Sequence, residues 1–236
     1  MSLDVMLVLF QVVVLLFAFS VHECAHAWAA MRFGDPTAYM VGRVTLNPAR
    51  SIDPWGSVAM PLLSLVLSGF GGPLIGWGRP IPITLRNFKR IKRDDVLSTC
   101  AGLFSHLLLA GIALVVLVLM KHSPGVGANA VVSAMLLAKH VPEVDTTALP
   151  KLFPIALLLY YCVVTNIVLF VFNLIPVPPL DGSRLLRNVL PYKMERVFDN
   201  IGMLGSFFIF AIAWRVVYPL FYPPLMRTFD TLLLQL

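Results

Sequence analysis

Three stretches of this sequence, 56–78, 96–120 and 152–180, contain no Asp, Glu, Lys or Arg. An uncharged apolar run of about 20 residues crosses the ~30 Å hydrocarbon core of a bilayer as a helix. Inside lipid only a helix or a closed barrel satisfies its own backbone. Composition closes the argument, because 13% of the residues are charged and 58% are hydrophobic, whereas about 25% are charged in an average soluble protein. Soluble globular, intrinsically disordered and disulfide-stapled chains are excluded. The chain reads as an all-α polytopic membrane protein.

The first helix is expected over about 3–32, with Asp4 and Glu23 as its two acidic residues and Gly34-Asp35-Pro36 as its stop. The start resembles a signal-peptide core, yet no Lys or Arg precedes it and the apolar pattern runs on past Ser20, so a retained helix is expected. Gly42-Arg43-Val44-Thr45-Leu46-Asn47-Pro48 has the β-branched and turn residues of a short membrane-associated β-hairpin. The run 56–78 is broken by Pro61, Gly69, Gly71, Gly72 and Pro73, which suits a re-entrant segment shielded by protein. Core helices follow at about 95–120 and 152–175, with peripheral segments at about 126–141 and 200–222. The expectation is a single domain over 1–236 with about four to six transmembrane helices. No soluble stretch is long enough for an inserted PDZ-like or CBS-like domain. Cys24, Cys100 and Cys162 lie far apart in apolar segments and read as small hydrophobes, not as a disulfide framework.

Positive charge orients the chain. Nine Lys or Arg fall between Arg32 and Arg93 and four between Leu174 and Val197, against none before the first helix and three from Lys121 to Lys151. The positive-inside rule places the two richer regions in the cytoplasm, in a multi-pass protein of the plasma membrane. The +6 net charge is therefore a topology signal, and the basic loop Arg86–Arg93 does not call for nucleic acid.

Ionisable groups deep in lipid are costly and mark function. The first helix holds three together in His22-Glu23-Cys24-Ala25-His26. Residues four apart share one helix face, so both imidazoles can hold one Zn²⁺ while Glu23 stands beside them as a base for water. With five His and three Glu in the chain, chance gives this pattern on the order of once in a thousand sequences. A catalytic zinc needs a third protein ligand and an open position. Measured from the helix ends, the His pair lies about 9–15 Å deep and His106 about 16 Å deep. Asn173 reaches the same layer from the other side. It opens Asn173-Leu-Ile-Pro-Val-Pro-Pro-Leu-Asp181-Gly182, whose prolines break the helix and let Asp181 fold back on an extended turn. Asp181 is the third-ligand candidate and His106 its rival.

These motifs resemble the site-2 protease family of intramembrane zinc metalloproteases, peptidase family M50. His22-Glu23-Cys24-Ala25-His26, Ala101-Gly102 and Asn173 to Gly182 carry the resemblance. So do Gly34-Asp35-Pro36-Thr37, Gly42 to Pro48, Ile52-Asp53-Pro54 and Gly76-Trp-Gly-Arg-Pro-Ile-Pro82, which are similar to the compact subgroup without PDZ or CBS domains. The resemblance implies one zinc ion held by His22, His26 and Asp181, with Glu23 as catalytic base and Asn173 holding substrate or oxyanion. It implies substrates that are single-span membrane proteins, already cut by another protease. Three positions depart from the family pattern. Leu103 replaces a Pro after Ala101-Gly102 and His106 stands where Asn is usual, which suggests a hydrogen-bonding role for His106 just outside the ligand set. Ser51 stands where the subgroup often has His, and Asn47, Ser51 and Asp53 read as turn and capping residues.

A membrane metal transporter or sensor would also use a buried His pair. It would need a polar path on both sides of the site, often with repeated halves. The polar residues here cluster towards one face, and the sequence has no internal repeat.

Overall fold

The computed structural model of the chain describes residues 3–67, 72–123, 127–141, 149–190 and 203–235. Among these residues the regular elements are helical and none is a strand. Among the described residues there are eight α-helices: α1 (Leu3–Phe33), α2 (Thr37–Met40), α3 (Met60–Leu67), α4 (Ile91–Lys121), α5 (Gly127–Ala138), α6 (Phe153–Asn173), α7 (Asp181–Val189) and α8 (Met203–Gln235). Helices α1, α4 and α6 are long and apolar enough to cross a membrane. The chain is an integral membrane protein.

Helix α6 is the innermost of the three. Of its apolar window 72% is buried, against 44% for α1 and 33% for α4. Helix α4 lies against both α1 and α6, α1 also touches α6, and α5 and α8 cover α6 from other sides. Lipid supplies no hydrophobic drive for helices to associate, so close backbone approach must do it. Small residues provide that approach here: Ala18, Ala27 and Ala30 on α1, Ala110 and Ala113 on α4, Ala130 and Ala134 on α5 and Ala156 on α6 are all buried. Leu7, Leu117, Leu157 and Phe229 fill the space between. A second cluster of Met60, Ile75, Val168, Phe172, Ile175 and Leu180 fixes the end of α6 and the start of α7. Helix α5 has 12 residues, about 18 Å of rise and too little to cross the core. Helix α8 runs well beyond the expected end near 222, through Pro219, Pro223 and Pro224.

Helix α1 ends where its sequence demands. Gly34 adopts φ +112°, its N–H reaches Met31 O and the Asp35 N–H reaches Ala30 O, the two bonds of a Schellman cap. Asp35 is fully buried. Its carboxylate accepts from the Thr37 N–H and hydroxyl, the Asn87 amide and the Thr84 N–H, tying the end of α1 to the loop that enters α4. Burial alone would raise the Asp35 pKa, but the Thr37, Asn87 and Thr84 donors outweigh it and hold the carboxyl below its ordinary value. A depressed folded-state pKa contributes stability above the unfolded value near 3.9 that is lost as pH falls through the folded one. Asp35→Asn should therefore lower stability by about 2 kcal/mol at neutral pH. Thermal unfolding in detergent should show the gap to wild type closing below about pH 4.

The expected β-hairpin at 42–48 does not form. Its backbone bonds are spent locally: Gly42 N–H on Tyr39 O, Arg43 N–H on Ala38 O, and Asn47 N–H on the Thr45 hydroxyl. Thr and Asn side chains compete with a strand ladder in this way. Asn47 and Asp53 cap the turns that follow, accepting from Ala49 N–H and from Trp55 and Gly56 N–H. The run 56–78 begins with a π-helical turn (Pro54–Ala59) and α3 and returns without regular structure over 72–78. Residues 68–71 lie outside the described set. The two ends of the run meet, since the Trp77 N–H donates to Gly56 O at 3.1 Å. A Cβ at Gly56 would strike the Trp77 ring.

Candidate metal centre

His22 and His26 stand one turn apart on α1, rings edge to face with centroids 4.4 Å apart. Their Nε2 atoms are 3.0 Å from each other. Asp181, the first residue of α7, brings Oδ2 to 3.0 Å from His26 Nε2 and 3.3 Å from His22 Nε2. It arrives on a helix start, not on the extended turn expected from the prolines. All three residues are buried.

The donor set fits zinc on its own chemistry. His26 Nδ1 lies 2.8 Å from the Ser98 carbonyl of α4. A carbonyl only accepts, so Nδ1 carries the proton and Nε2 presents a bare lone pair. Zinc–nitrogen distances are about 2.0–2.1 Å, and three atoms 3.0–3.3 Å apart converge on a point at that reach. His22, His26 and Asp181 form the group suited to a metal among the described residues.

Room for His26 comes from Gly102 on α4. A Cβ there would fall on the His26 imidazole, with Cδ2 at 2.7 Å and two ring atoms closer still. Glu23 is buried and lines the same cavity as His22, His26 and Asp181. Its carboxylate abuts Gly78, where a Cβ would lie 3.1 Å from Oε1. Asn173 is buried at the end of α6 and donates one amide N–H to Leu169 O at 2.9 Å, leaving its second N–H uncommitted to that bond. Glu23, Asn173 and the three ligand candidates line one cavity of about 310 Å³, walled by Phe19, Trp77 and Ile81.

His106 lies outside this group. Its ring stacks on His22 with centroids 4.6 Å apart and planes 19° from parallel. Asn166 Nδ2 donates to Cys162 O, so its Oδ1 faces His106 Nδ1 at 2.8 Å and accepts from it. His106 Nε2 is thus a bare acceptor, and it is buried without a partner, as is Nδ1 of His22.

The start of α7 is anchored by residues that sequence reasoning passed over. Arg184 donates to one carboxylate oxygen of Asp95 at 2.5 Å and Asn188 to the other at 2.6 Å, joining α7 to α4. In the sequence Asp95 marks only the edge of an uncharged run. Asn166 is an amide deep in the same charge-free span as Asn173, and that position is the signal that could have found it. Gly102 belongs to the Ala101-Gly102 motif, but its close fit against His26 has no signal short of the packed structure.

The sequence profile of peptidase family M50 matches residues 10–213. The chain is 39% identical to "Putative zinc metalloprotease YwhC" of Bacillus subtilis over 182 residues, 77% of this chain and 69% of that protein. Shorter matches link it to proteins of the same description named Rip2. One is from Mycolicibacterium smegmatis (40% over 58 residues, 25% of this chain and 22% of that protein), another from Mycobacterium tuberculosis (42% over 52 residues, 22% and 20%). No solved structure matches the chain significantly.

Proposed function

The chain belongs to peptidase family M50 and is a zinc metalloprotease, and from that premise we propose that it is a single-domain intramembrane endopeptidase. Its substrates are transmembrane segments of single-span proteins already cut by another protease. The observation that carries this reading is the shared cavity: Glu23, Asn173 and the His22–His26–Asp181 group line one hollow between bilayer-length helices. Arg184 and Arg187 line the cavity, so its opening is assigned to the Lys- and Arg-rich face, the cytoplasmic one by the positive-inside rule in a plasma-membrane protein. The run 56–78, whose ends meet, serves as a re-entrant flank to that opening.

His22, His26 and Asp181 hold the zinc, which when bound polarises the scissile carbonyl and lowers the pKa of water. Glu23 takes the proton of the attacking water and returns it to the leaving amine. The second N–H of Asn173 donates to the oxygen that gains charge. Phe19, Trp77 and Ile81 limit water in the cavity. A substrate helix has to unwind locally before its carbonyl reaches Glu23, because its backbone bonds are otherwise satisfied within the helix.

His106 acts through His22. Metal-bound histidines almost always donate their far N–H to an acceptor. The unpartnered His106 Nε2 is such an acceptor, on a ring stacked against that of His22, whose Nδ1 is likewise unpartnered. His106→Leu should weaken zinc binding about tenfold, as measured by competition with a chelator, while His106→Gln should retain most of it.

The reading is tested in liposomes carrying a single-span reporter and an internal zinc-sensitive dye. Cleavage that stops on chelation and resumes with added zinc is the expected result. Zinc influx without cleavage would instead establish a transporter.

A further inference from the structure

Pro80 and Ile81 line the catalytic cavity on one side and a second cavity of about 510 Å³ on the other, so the two share a wall. Arg43, Arg50 and Arg79 line this second cavity and no carboxylate does. None of the three forms an ion pair among the described residues. Arg43 is only 8% exposed, and among the described residues its guanidinium donates to a single acceptor, the Arg79 carbonyl, with the Glu23 carboxylate acting on its charge from the catalytic side without a hydrogen bond. A guanidinium has five donors, and buried charges are ordinarily paired. Three like charges around one hollow create a positive potential that an anion relieves.

The surroundings identify the anion. The cavity is built from residues 41–50 and 79–82, between the end of α1 and the start of α4, at one level of the molecule. The same loops expose Met40, Val41, Leu46 and Trp55. Guanidinium groups interleaved with exposed apolar and aromatic side chains at the end of a spanning helix are the chemistry of the headgroup region. An acidic peptide is the poorer fit, because the flanks of membrane proteins on a Lys- and Arg-rich face are themselves basic. We propose that this cavity is a binding site for the phosphate headgroup of an anionic membrane lipid. Arg43 also holds the Arg79 carbonyl, one residue from the Gly78 that abuts Glu23. A seated headgroup therefore braces the wall of the catalytic cavity.

The test uses the full chain in detergent, exposed to phosphatidylglycerol, phosphatidylcholine or inorganic phosphate, with retained lipid read by native mass spectrometry. Phosphatidylglycerol should be retained in preference to phosphatidylcholine. Each arginine near a charged membrane surface contributes about fivefold in affinity, so Arg50→Gln/Arg79→Gln should weaken retention at least about tenfold. Arg50→Gln alone, whose side chain makes no hydrogen bond among the described residues, should give about fivefold. Arg86→Gln/Arg90→Gln, an equal charge loss outside the cavity, should leave retention unchanged. Equal retention of the two lipids overturns the proposal, as does unchanged retention by both cavity variants or an equal loss in the control. Displacement of the lipid by inorganic phosphate assigns the site to the free anion, and displacement by an acidic peptide assigns it to a protein partner. Either result overturns it too. Retention is read without proteolysis, so the outcome does not depend on the protease reading.

Discussion

Glu23→Gln should abolish cleavage of a single-span reporter, lowering kcat by about a thousandfold, while zinc content stays at the wild-type level. The substitution keeps the shape of the side chain against Gly78 and removes only its capacity to take a proton. His22, His26 and Asp181 are untouched, so metal analysis after gel filtration should be unchanged. The two readouts are needed together. Activity and zinc lost in parallel would make Glu23 a structural residue of the site, and activity retained would remove it from the chemistry altogether.

Gly102→Ala should have a comparably large effect by a different route. Within a helix, Ala is favoured over Gly by about 1 kcal/mol, so on local grounds α4 should gain stability. The added methyl, however, falls on the imidazole of His26. That ring is pinned from behind by the Ser98 carbonyl and in front by Asp181, so it cannot move aside without giving up one of them. Zinc affinity should fall about a hundredfold and cleavage with it, while helicity by circular dichroism is unchanged or slightly raised. A variant with normal zinc content would show that α1 and α4 can separate enough to admit the methyl.

What could be read from the sequence divides along physical lines. Membrane residence and the His22–Glu23–His26 cluster were legible because lipid penalises charge, so every exception stands out. The end of α1 at Gly34 was legible because a Schellman cap is written in local residues. Asp181 was found by its motif, yet the helix that begins with it was not expected, since three prolines just before it point to irregular chain. The loop 42–48 departs from the expected hairpin because Val44 and Thr45 suit a strand and Asn47 a turn, but the Thr45 and Asn47 side chains capture the backbone first. Long-range fits such as Gly102 against His26, or Asp95 clamped by Arg184 and Asn188, depend on how helices far apart in sequence come to lie together. No local pattern encodes that.

His26 and Asp181 are separated by 155 positions in the chain, and this spacing has a consequence for biosynthesis. At about 5–20 residues per second, the ribosome needs roughly 8–30 s to deliver the last ligand after the first two. Until then His22 and His26 enter the bilayer as an incomplete pair. Only when α6 has crossed and α7 has latched onto Asp95 does the nascent chain gain a complete metal centre. On the proposed ligand set, the centre is therefore incomplete until Asp181 has been made.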